Sequence, residues 1–81
     1  MDKALIRDHL ALAERHVSQG YRHVAHQKQI ICDLENGGHD TTTARSLLGN
    51  FEDVLRMHIA DRDRLKKELT QVLEPNSALR Q

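Results

Sequence analysis

Residues 35–40 read Glu-Asn-Gly-Gly-His-Asp, the one place where glycine, asparagine and aspartate gather between two long stretches of regular hydrophobic spacing. Asn36-Gly37-Gly38 supplies residues that tolerate left-handed backbone angles, as a helix C-terminus requires. Asp40, or Thr41 or Thr42 after it, offers a side-chain oxygen to the unpaired N–H groups that open a second helix. A connection this short returns the second helix antiparallel to the first.

Working outward, the hydrophobic positions on both sides keep one phase. Before the break, Ile6, Leu10, Ala13, Val17, Gly20, Val24, Gln27, Ile31 and Leu34 follow one another in steps of four and three. After it, Ala44, Leu48, Phe51, Leu55, His58, Arg62, Leu65, Leu69 and Val72 do the same. Each series is a coiled-coil seam. The spacing predicts an all-α, single-domain hairpin: helix about 3–35, loop 36–40, helix about 41–74 ended by Pro75, and a tail 75–81. Each helix is expected to be roughly 50 Å long.

The seams leave apolar side chains over. Leu5 and Leu12 sit to one side of the first, and Leu47, Val54, Ile59 and Leu73 widen the second. An 81-residue chain is near the lower limit for a self-sufficient core, and burying such leftovers against a second copy is the usual remedy. The expectation is a homodimer, most simply an antiparallel four-helix bundle, with Leu5, His9, Leu12, His16, Leu47, Val54 and Ile59 at the interface. A partner protein on the same surface is the competing explanation.

Composition narrows the function classes. Tyr21 and Phe51 are the only aromatic residues and there is no tryptophan, so there is little bulk from which to wall an enzyme pocket. Twelve basic and twelve acidic residues cancel, which removes any global field toward nucleic acid or an anionic membrane. Cys32 is the lone cysteine, so no internal disulfide forms and a reducing compartment suits the chain. No apolar run approaches the roughly 20 residues of a membrane span, and Met1-Asp2-Lys3-Ala4 lacks the apolar centre of a signal peptide. These features point to a soluble cytoplasmic protein without a cofactor.

Histidine is the conspicuous residue. His9, His16 and His23 recur at intervals of seven, and Arg-His-Val occurs at both 15–17 and 22–24. Seven residues advance about 10.5 Å along a helix, so no two of the three reach one metal ion. They line a flank of the seam, where an imidazole covers apolar surface and keeps a nitrogen wet. If a second subunit stacks over that flank, acid charges them inside a contact. His23 and His26, three apart, are the pair able to share an ion. Antiparallel pairing places residue i near residue 76 − i, which brings Glu52 and Asp53 toward His23; two ligands alone are too few for a site.

Two seam positions of the second helix are polar. Arg62 is expected to face Glu14, and His58 to face Val17 and Ser18; an Arg62–Glu14 pair would fix register. Gly20 in the seam and Gly49 beside it each cost about 1 kcal/mol of helix propensity, which implies close approach or room for a bulky neighbour. In residues 60–69 the charges interleave: Asp63 with Lys67 and Arg64 with Glu68 are pairs at i,i+4 spacing. A solvated helix face is favoured there over an RNA-binding stripe of Arg45, Arg56, Arg64 and Lys67, because no aromatic residues interleave with the bases.

No catalytic constellation is evident. Ser18 and Ser46 have no predictable histidine base. Cys32 lies near a helix C-terminus beside Asp33 and Glu35, surroundings that disfavour a thiolate. Asn36-Gly37-Gly38 ends a helix and follows no strand, unlike a phosphate-binding loop.

Gly38-His39-Asp40-Thr41-Thr42-Thr43-Ala44-Arg45-Ser46-Leu47-Leu48, then Phe51-Glu52 and His58-Ile59-Ala60-Asp61-Arg62-Asp63-Arg64-Leu65, resembles a group of short helical proteins from alphaproteobacteria, and the Arg-His-Val repeat fits the same group. The resemblance covers roughly residues 9–69. It implies an intact small bacterial protein and transfers no catalytic or binding residue. The expected function is a non-enzymatic, self-associating helical module for protein interaction or regulation. The alternatives are a small RNA-binding hairpin dimer and a histidine-based helper responsive to metal or pH.

Overall fold

The computed structural model describes residues 2–73, which form two helices, α1 (Lys3–Asn36) and α2 (Thr42–Leu73), packed against each other as an antiparallel hairpin. The expected helix end at Glu74 and Pro75 and the tail 75–81 lie outside the described residues. In cross-section the hairpin measures 20 × 14 Å, two helices wide and one thick.

The turn is built from local hydrogen bonds. Gly38 takes φ +72°, a left-handed angle that costs a β-carbon about 1–2 kcal/mol. That angle lets the His39 N–H donate to the Leu34 carbonyl at 2.9 Å and the Gly38 N–H donate to the Glu35 carbonyl at 3.0 Å. These are the paired bonds of a Schellman C-cap. The Asp40 carboxylate then accepts from the Thr42 N–H at 3.0 Å and from the Thr42 hydroxyl at 2.8 Å. The backbone bond first, and the hydroxyl second, hold its pKa below the ordinary carboxylate value. Arg45 closes the turn, donating to the Thr41 hydroxyl at 2.9 Å and pairing with Glu35 at 3.1 Å.

The expected seam is the core. From α1 it buries Ile6, Ala13, Val17, Gly20, Val24, Gln27 and Ile31; from α2, Leu55 and Leu65. Leu48, Phe51 and Ile59 pack, half-buried, against the cluster of Val17, Val24 and Leu55. A β-carbon on Gly20 would lie 2.9 Å from Leu55 Cδ1, so this glycine is the space that Leu55 fills. Around Gly49 there is nothing within 4 Å, and its place beside the seam has no packing reason.

Among the described residues Gln27 is the one buried polar side chain, and its Nε2 donates to the Ala44 carbonyl at 2.9 Å. This bond joins α1 to the first turn of α2 and ties the helices lengthwise. The resulting register opposes His16 to His58 and His23 to Phe51. Each α2 partner comes two positions earlier than the 76 − i rule places it.

Candidate functional site: the histidine face

One flank of α1 carries His9, His16 and His23, with Leu5, Leu12 and His26 in the next row out. Antiparallel packing sets it beside the flank of α2 that carries Leu47, Val54, Met57 and Asp61. His58 leans to the same side from the seam, its ring 4.9 Å from the His16 ring at a tilt of 43°. His23 rests on Phe51 at 5.7 Å with the same tilt. Five of the six histidines thus share one face of the hairpin, and His39 lies apart in the turn.

Two shallow clefts run along this face and meet at His16. One, of about 220 Å³, lies between His9, Leu12, His16, Asp61 and Arg64. The other, of about 210 Å³, lies between His16, His23, Phe51, Val54 and His58. The aliphatic side chains around them stand out of the surface: Leu5 is 44% exposed, Leu12 45%, Leu47 41% and Val54 46%. Met57, absent from the sequence expectation, is 66% exposed. Its position three residues beyond Val54 was the signal that would have found it.

Ile59 departs from its expected company. It falls on the opposite flank of α2 and packs against the hairpin's own cluster of Val17, Val24 and Leu55. The expected Arg62–Glu14 pair does not form either. Arg62 pairs with Asp63 at 3.1 Å, and Glu14 has no ion pair among the described residues. A carboxylate one position away is reached with less loss of side-chain freedom than one on the facing helix. The polar seam residue that does bond across the helices is Gln27, visible in the sequence as an amide among apolar seam positions.

His23 is committed to Phe51, and His26 is exposed beside it. Asp53, expected nearby, pairs with Arg56. Among the described residues, no group of three or more His, Cys, Asp or Glu side chains is placed to hold a metal ion. Of the four basic residues weighed for RNA, three are engaged with acids: Arg45 with Glu35, Arg56 with Asp53, and Arg64 with both Asp61 at 3.5 Å and Glu68 at 3.3 Å; Lys67 has no ion pair among the described residues. The Arg64–Glu68 pair forms at the spacing that predicted it, whereas Asp63 turns to Arg62 and away from Lys67.

Ser18, Ser46 and Cys32 are all exposed, and among the described residues no hydrogen bond links any of them to a histidine. The Cys32 sulfur accepts a long contact from Asn36 Nδ2 at 3.8 Å. No described helix is long and apolar enough to cross a membrane. The arrangement can cover apolar surface, offer imidazole nitrogens and change charge with pH. No protein-family profile, curated protein or solved structure matches the chain.

Proposed function

We propose that this protein is a non-enzymatic, cytoplasmic interaction module that self-associates through its histidine face, giving a homodimeric four-helix bundle. The supporting observation is that Leu12 and Val54 line the clefts of that face, and that Leu5, Leu47 and Met57 follow on the same two helix flanks, each more than two-fifths exposed. An exposed apolar row along one face supports a contact there.

The charged residues lining the clefts, Asp61 and Arg64, are paired with each other, so the face meets its own copy without repulsion at neutral pH.

Sedimentation at micromolar concentration and pH 7.5 tests the reading. The expected species has twice the 9.3 kDa chain mass. Leu12→Lys with Val54→Lys should give a helical monomer, and Tyr21→Lys, away from the face, should leave the dimer intact. A wild-type monomer under these conditions refutes the proposal.

A further inference from the structure

We infer that His16 and His58 form an open two-imidazole site for a divalent transition ion, of the Zn²⁺, Cu²⁺ and Ni²⁺ class, that clamps α1 to α2. Both donors belong to one chain, so the site does not depend on self-association.

The ring geometry carries it. An imidazole nitrogen lies about 1.1 Å from its ring centre and a metal–nitrogen bond is about 2.0–2.1 Å, so each ring centre lies about 3.2 Å from a shared ion. The His16 and His58 ring centres are 4.9 Å apart. At that spacing they subtend about 100° at the ion, between the right angle of a square-planar site and the tetrahedral angle of about 109°. Histidine has a broad χ2 torsion, so a nitrogen of each ring can be aimed at the shared point. Among the described residues this is the one ring-to-ring contact between histidines; the His23 ring lies against Phe51 instead.

Two donors do not close a structural site, which takes four, and the remaining positions are left for water. The two clefts, of about 220 and 210 Å³, meet at His16, and His58 lines the second. Both rings are half-buried, held by packing and open to solvent through the clefts.

The surrounding charges do not oppose a cation. Arg62, one turn beyond His58, is bonded to Asp63, and Arg64 is paired with Asp61 and Glu68. Asp61 stands three residues beyond His58 and borders the first cleft with His16. It is not a third donor in this arrangement, but it is a carboxylate available for the hydrogen bond that a ligating histidine commonly donates.

An ion held by both helices binds the folded hairpin in preference to the unfolded chain, where the two histidines are far apart, and so it stabilises the fold. It also pins the register of the helices at the point where the clefts meet.

The test uses the full chain without a histidine tag at pH 7.5, titrated with ZnCl₂ by calorimetry and melted by circular dichroism with and without Zn²⁺. The expected result is one ion per chain. With Zn²⁺ at ten times its Kd, the melting temperature should rise by about 5 °C or more. His16→Gln and His58→Gln should each lose that rise, and His26→Gln should keep it. No rise in the wild type overturns the inference. A rise that survives both His16→Gln and His58→Gln also overturns it, as does a stoichiometry of one ion per two chains, which places the metal between copies. Self-association is read from mass without metal, so its failure and the failure of this site are separate results.

If either variant loses helicity, the wild type decides by nuclear magnetic resonance. Substoichiometric Cu²⁺, the strongest binder of the class, should broaden the ring signals of His16 and His58 before those of His9, His26 and His39. The reverse order overturns the inference.

Discussion

The two helices contribute unequally to one seam. In its middle α1 supplies small residues, Ala13, Val17, Gly20 and Val24, all buried, with the larger Ile6, Leu10, Ile31 and Leu34 toward its ends. The facing stretch of α2 supplies larger ones, of which Leu55 is buried while Phe51, His58 and Arg62 stay half-exposed. Small side chains disappear beneath large neighbours, and the large ones overhang the edge of the contact. The overhang is why His58 and Phe51, seam residues by phase, reach the histidine face. A hairpin of evenly sized seams would close flush and leave that face flatter.

Substitutions that disturb this inequality test it. Leu55→Ala removes the large partner of the cluster with Val17, Val24 and Gly20, and should lower stability by about 2–4 kcal/mol in a chemical melt. An effect below that of truncating half-exposed Leu69 would show that the inequality does not govern the core. Gly20→Val fills the space Leu55 occupies from the other side and should cost about 1–3 kcal/mol through overpacking.

Gln27→Ala removes the bond to the Ala44 carbonyl and should cost about 1 kcal/mol. Because this bond ties the register, the variant should also show broadened amide spectra along the seam. Gly49→Ala is the counterpart of Gly20→Val on the other helix. With open space around it, the added methyl should stabilise by about 1 kcal/mol through helix propensity alone.

The smallest effect is at the exposed cap. Asp40→Ala should lower the melting temperature slightly at pH 7. The native carboxylate has a depressed pKa, so its contribution is present above the ordinary value of 3.8 and lost as pH falls through the lower folded value. Wild type and variant should therefore converge in acid, and a gap that persists at pH 2 would assign the loss to something other than the ionised cap.

Legibility in the sequence followed the range of the interaction. The turn could be read because its capping hydrogen bonds join residues within five positions of one another, from Leu34 to His39 and from Asp40 to Thr42. The seam could be read because helical periodicity is a local geometric fact. The Arg62–Glu14 pair could not, since Asp63 competes for the same guanidinium and the outcome depends on rotamers. Nor could the division of the leftover apolar residues: Val54 and Ile59 both flank one seam, and they went to opposite sides.

The sequence on its own specifies two helices, a glycine-bearing turn with a capping oxygen after it, and a heptad seam on each helix, because each depends on spacing within a few turns. It places His9, His16 and His23 in a row for the same reason. That His58 and Phe51 complete the row, and that Leu47, Val54 and Met57 border it, is a property of the folded pair. It requires the rotation of each helix about its axis and the lengthwise register tied at Gln27, and both come from packing across the hairpin, where residues more than 25 apart in the chain meet.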